Sequence, residues 1–240
     1  MEETDKKILD MDLADTIIDR PQGFSVGSRH FYLYPVTLGK MYLLGRLTEE
    51  LELRPEVIQA NPYLEAIRCV KEKRELCCRI LTYHTIRTKA KAFDNEFVDN
   101  RTKFFMENLD NEELATILVM VLAWDKTSTL IHHLNIDKEQ KRMKKAMDAK
   151  DNKNTLVFGG QSIYGSLIDT ACERYGWTFD YVVWEISYTN LKLMLADSSK
   201  QIYLTDDELK KSKIAVSATY INGDDPKAVR QFIESMKNNG

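Results

Sequence analysis

Glycine and proline are scarce, ten and five in 240 residues. That scarcity argues against a loop-rich all-β sandwich and for long helices. Cysteine is scarce too, and Cys69, Cys77, Cys78 and Cys172 do not make a disulfide framework. The first three fall on one predicted helix, where Cys77 and Cys78 point about 100° apart. They read as small buried apolar residues of a reduced compartment. Neither sign of charge dominates: 34 Lys and Arg stand against 37 Asp and Glu, a net charge of -3. Nothing global therefore draws the chain to nucleic acid, and one strongly anionic partner is equally unsupported. Long hydrophobic runs are missing as well. The longest, Leu114 to Trp124 with Thr116 inside it, falls short of the ~20 residues a membrane helix needs. The charged opening Met1-Glu-Glu-Thr-Asp-Lys-Lys7 lacks the apolar stretch of a signal peptide. The expectation is a soluble cytoplasmic protein with no membrane partner.

Signatures of chemistry are equally thin. His132 and His133 are adjacent, so on a helix they diverge and do not share a metal. No HExxH, no CxxC pair, no GxSxG elbow and no phosphate loop is present. Gly159-Gly160 reads as a linker joint. Asp169, Asp180 and Asp197 lie within an aromatic-rich half of the chain, but the sequence assigns none of them as a general acid. No catalytic, cofactor or metal residue is expected.

What is present is helical periodicity. Residues 1–20 form an acidic lead, with Ile8, Leu9, Leu13 and Ile17 spaced for a short surface helix. Phe24–Val26 and His30–Tyr34 flank Gly27-Ser28 in a hairpin pattern closed by Pro35. Thr37 is a cap for Leu38, Met41, Leu44, Leu47 and Leu51. Asn61-Pro62 opens a predicted long helix through Leu64, Ile67, Val70, Cys77, Leu81 and His84. A helix around Phe97, Arg101, Phe104 and Phe105 follows. Asp110-Asn-Glu-Glu113 has capping-box spacing, and the apolar stretch 111–124 behind it is expected to be buried on all sides. Residues 21–136 are thus a hairpin plus helical domain. Residues 137–157 form a basic helix and linker, carrying Lys138, Lys141, Arg142, Lys144, Lys145, Lys150 and Lys153 without aromatics; a solvated face is the expectation there.

Residues 158–240 make a smaller helical domain. Tyr164, Leu167, Ile168, Ala171 and Tyr175 share a stripe ending at Gly176. Thr178 and Ser187 start further helices, the second running through Leu191, Met194, Leu195 and Ile202. Thr205–Glu208 is another capping box, Ile214–Tyr220 is β-prone, and Asp225-Pro226 opens a last helix. Trp177, Tyr181, Trp184 and Tyr188 step by four, three and four, a rim of aromatics along one helical side. Trp and Tyr dominate protein-binding hot spots because they bury large area with few rotors. The fold class is mainly α: a helical bundle with a small N-terminal hairpin, then a smaller helical domain.

The hairpin followed by Leu33-Tyr-Pro-Val-Thr-Leu-Gly39 resembles the N-terminal part of tailed-phage tail assembly chaperones. Tyr175-Gly-Trp-Thr-Phe-Asp-Tyr181 and Asn190-Leu-Lys-Leu-Met-Leu-Ala-Asp197 resemble the C-terminal extension of such proteins from phages of gut bacteria. The likeness covers roughly 24–52 and 160–210, and the basic stretch 138–153 is unmatched. The resemblance implies a non-catalytic chaperone in the host cytoplasm, absent from the finished virion. Its helical domain would hold the tape measure protein and its extension would recruit tail tube subunits. Leu38, Met41 and Leu44 are then candidate contacts for the first partner, and Arg174, Trp177, Tyr181, Trp184 and Tyr188 for the second. Self-association is left open, and nucleic acid is not an expected partner. Two other classes stand beside this reading: a nucleic-acid-binding phage protein using 138–153, and a small enzyme with an acidic, aromatic cleft.

Overall fold

The computed structural model describes residues 3–123, 125–151, 156 and 158–214. Trp124, the linker beyond Asp151, the β-prone run from residue 215 and the helix after Asp225 lie outside them. The described part is mainly helical with one two-stranded antiparallel sheet. It divides into two compact units, 3–136 with 158–198 and 137–151 with 156 and 199–214. The aromatic segment 158–198 groups with the hairpin domain, sharing a core with it, and residues 199–214 group with 137–151. The structure places the first-unit strands β1 (Gln22–Val26) and β2 (Arg29–Leu33) in register Phe24↔Phe31. Gly27, at φ 56, supplies the first central residue of the two-residue turn, the position that demands positive φ in this hairpin type.

Behind the hairpin, α2 (Leu38–Glu50) starts where Thr37 Oγ1 accepts from Lys40 N–H. Next come α3 (Pro55–Ala60), α4 (Pro62–Glu72), α5 (Arg74–His84), α6 (Lys89–Ala92), α7 (Asn95–Asn108) and α8 (Asn111–Leu122). The long helix expected from Asn61 is therefore two. Lys73 breaks it with φ −138 and ψ 49, while its ammonium bonds Glu50 O and Glu52 across the interior turn. The break re-aims the stripe: Leu64 is exposed, whereas Cys69, Cys77 and Cys78 are sealed, on two helices rather than one. Burial pushes the Cys77 and Cys78 thiols up to about 12 and about 11, so they stay protonated and inert. The capping box at Asp110 forms. Along α8, Leu114, Ala115, Ile117, Leu118 and Val121 are buried but Met120 is 37% exposed. One face of this apolar helix thus reaches solvent, and full burial is corrected to partial.

The main core joins Val26, Leu33 and Val36 to Leu44, Leu51, Leu81, Phe105 and Leu118. The acidic lead forms α1 (Glu3–Ile17), which packs Leu13 against Leu130 of α9 (Thr127–His133), Ile136 and Leu193. After the second-unit helix α10 (Ile136–Ala149), a π-helical turn at Tyr164–Asp169 runs into α11 (Thr170–Tyr175), which ends at Gly176; α12 (Phe179–Trp184) and α13 (Tyr188–Ala196) follow. Helix α13 stops before Ile202. Within the second unit, Asp151 N–H donates to Glu208 Oε1 at 2.6 Å, and the Thr205 capping box opens α14 (Asp206–Ser212).

A second core docks the aromatic segment onto α2. Leu38, 1% exposed, packs with Ile168, Ala171, Val182, Ile186 and Leu191. Beside it, a Cβ built on Gly39 would sit 2.8 Å from three atoms of the Trp184 indole. Only a residue without a side chain lets the ring lie so close. Leu38→Ala is expected to lower the unfolding free energy by about 2–5 kcal/mol, read as a shift of the urea midpoint at constant slope. Gly39→Ala sets a propensity gain of roughly 1 kcal/mol against an overpacking cost of roughly 1–3 kcal/mol, so a net loss is expected. A Gly39→Ala protein more stable than its parent contradicts this packing account.

Candidate functional site

Two caps build the aromatic surface. Thr178, at φ −77 and ψ 155, takes the backbone out of the helical region, and its hydroxyl accepts from Tyr181 N–H. Ser187, at φ −63 and ψ 145, does the same for Asn190 N–H. Trp177 therefore precedes α12 and Tyr188 opens α13, so the four aromatics do not share one helical side. The even spacing is overruled by the capping residues embedded in it. Val182 and Ile186 are buried on the inner side.

What the caps leave outward is a ladder of rings. Tyr175 and Trp177 have centroids 4.6 Å apart, and Trp177 and Tyr181 5.1 Å. Tyr175 is pinned by its hydroxyl donating to Met194 O at 3.1 Å. The Arg174 guanidinium lies 5.9 Å from the Tyr175 centroid. Tyr181 is 41% exposed and Phe179 54%; Trp177 is half-buried. Further along, half-buried Trp184 meets exposed Phe93 edge-on at 5.5 Å, with Lys89 Nζ 5.7 Å from its ring. Tyr188 is half-buried, its N–H donating to Val36 O at 2.8 Å. The structure thus gathers Arg174, Trp177 and Tyr181 on an open surface and turns Trp184 and Tyr188 towards α2.

Leu38, Met41 and Leu44 are placed otherwise than as a partner-binding stripe. Leu38 and Leu44 are buried, and Met41 is half-buried against both cores. Their apolar face is occupied from within the chain, Leu38 by residues more than a hundred positions downstream and Leu44 by the main core. Asp169, Asp180 and Asp197 are exposed, and Asp180 pairs with Lys89 at 2.5 Å. A polar cavity of about 420 Å³ is lined by Asp12, Asp15, Asp19, His84 and Lys126. Its acids are taken up locally: Asp12 by Lys126, Asp15 by Arg20 and Asp19 by Asn190. His84, fully buried near Lys40, has its pKa pushed down to about 3 by desolvation and then by that cation, so it stays neutral. Among the described residues, no group of three His, Cys, Asp or Glu is placed to hold a metal ion, and no single helix is long and apolar enough to cross a membrane. In α10, Lys138, Lys141, Lys144 and Lys145 are exposed and Arg142 pairs with Glu139.

The sequence passed over Lys40. It is 3% exposed at the start of α2, its ammonium 5.7 Å from the Tyr34 ring. Desolvation lowers its pKa to about 8. With Tyr34, Pro35, Thr37, Arg87, Trp184 and Glu185, Lys40 lines a second cavity of about 300 Å³. A lysine within an amphipathic helix carries no local sign of such burial. Comparison with family models, with curated proteins and with solved structures gives no match.

Lys40 has a stability signature. Its folded pKa of about 8 lies below the ~10.4 of an unfolded lysine. As pH rises, the native state releases this proton first, so stability increases between about pH 8 and pH 10.4. Below pH 8 the buried cation is a net cost. Neutral His84, Tyr34, Arg87, Asp19 and Glu185 are its ionisable neighbours across the two cavities. Lys40→Met is expected to be more stable than the parent at neutral pH, with an advantage of the order of 3 kcal/mol that fades towards pH 10.4. Urea unfolding of both proteins across that range checks it, and a difference independent of pH contradicts it.

Proposed function

We propose that this chain is a non-catalytic binding protein that grips a protein partner through the aromatic surface of α11 and α12. Following the resemblance to tail assembly chaperones, the partner is a tail component, and the tail tube subunit is the one assigned to this surface. The observation that supports the reading is the series of tilted ring contacts Tyr175, Trp177 and Tyr181, with Tyr181 and neighbouring Phe179 partly in solvent. Rings held against one another lose little side-chain entropy on docking and present large area with a polar tip. Arg174 adds a cation at the edge of the series, a residue type enriched at hot spots. The surface for a tape measure protein is not assigned to Leu38, Met41 and Leu44, which are engaged internally.

The test is co-expression with the neighbouring tail proteins and recovery of the complex on a tag. Tyr181→Ala and Phe179→Ser are expected to weaken recovery of the tube subunit by tenfold or more, about 1.4 kcal/mol each. About half of each residue is in solvent, so at most a small fall in melting temperature is expected. Recovery of no tail component by the parent chain, or undiminished recovery by both variants, overturns the proposal.

A further inference from the structure

We propose that the cavity bounded by the starts of α2 and α13 binds a small ligand bearing an oxyanion, carboxylate or phosphate, on a compact apolar or aromatic body. The inference goes beyond partner docking and does not depend on it. Its volume, about 300 Å³, matches the small end of ligand pockets. Its lining includes Tyr34, Thr37, Lys40, Arg87, Trp184 and Ser187. The decisive feature is Lys40: 97% of this residue is removed from solvent, and no carboxylate within the described residues lies in ion-pair reach of its ammonium. A buried cation without a counter-charge is costly, and a bound anion removes that cost.

The backbone points the same way. Thr37 and Ser187 are the caps of α2 and α13, helices of 13 and 9 residues, and they pair with each other in an isolated antiparallel bridge. Two helix N-termini therefore border one cavity, each carrying roughly half a positive charge. Neither first turn contains an acid, whereas α8 has Glu112 and Glu113 there. Arg87 adds a second cation, and the Trp184 and Tyr34 rings offer apolar walls. Two carboxylates also border the space. Asp19 Oδ1 is occupied by Asn190 Nδ2 at 3.0 Å, and Glu185 is exposed. They set a limit on the ligand: one anionic group is accommodated, and a polyanion is repelled.

Isothermal titration of the full chain with benzoate, inorganic phosphate and uncharged benzamide tests the site. At least one anion is expected to bind saturably and benzamide not to bind; the tighter anion identifies the group. Lys40→Met and Arg87→Met are each expected to weaken that anion by roughly tenfold or more. Affinity should also fall as pH rises through about 8, where Lys40 gives up its proton. Arg87 is exposed, so its variant carries the test should Lys40→Met fail to fold. Absence of binding by both anions at tens of millimolar, or equal affinity in the folded variants, overturns the inference.

Discussion

The contact between the first turn of α2 and the aromatic segment governs the rest of the unit. Leu38 is enclosed by Ile168, Ala171, Val182, Ile186 and Leu191, and Trp184 lies over the bare Cα of Gly39. Burying one leucine contributes roughly 1.5–3 kcal/mol, and here the buried group joins segments far apart in the chain. The entropy of closing so long a loop rises only with the logarithm of its length, so a compact apolar cluster offsets it. Once α12 is fixed by its inner face, Phe179 and Tyr181 have no inward place left. The outward rings are a consequence of the docking rather than an independent feature. The same docking brings the Ser187 cap onto Thr37 and closes the wall over Lys40.

Local chemistry was legible in the sequence and long-range chemistry was not. The caps at Thr37, Asn61, Asp110, Thr178, Ser187 and Thr205 all form with a side-chain oxygen accepting a backbone N–H, because a cap needs only residues within three positions. The hairpin was legible for the same reason. The break at Lys73 was not, since it is fixed by Glu50 and Glu52 more than twenty residues earlier. Periodicity suggested a partner-facing stripe at Leu38, Met41 and Leu44, and apolar spacing does identify a face that must be covered. It does not say whether the cover is another protein or the chain's own later residues.

The aromatic segment shows how two local signals compete. Spacing at 177, 181, 184 and 188 suggests one helical rim, while Thr178 and Ser187 within it announce two helix starts. A helix cannot pass through a residue held at ψ near 150°, so the caps decide and the rim divides into an outer and an inner part. The Gly159-Gly160 joint and the basic run before it also mark a change in composition, yet residues 158–198 share a core with the hairpin domain. A shift in surface composition describes what solvent sees, and core membership follows from which apolar faces meet.

Burial sets the protonation state of several titratable groups. Proton transfer at neutral pH calls for groups poised near 7 and within reach of each other. Burial moves three groups away from that range: the Cys77 and Cys78 thiols up to about 12 and 11, His84 down to about 3. The acids of the larger cavity are held in ion pairs or hydrogen bonds. Lys40, at about 8, is displaced less far, and among the described residues no carboxylate is paired with it. A buried ammonium without a counter-charge is costly, and a bound anion would remove that cost. The rings of Trp177 and Tyr181 are in tilted contact and partly solvated. Both features are static complementarity, charge in one case and shape in the other, and both depend on the same Trp184-bearing helix lying flat on Gly39.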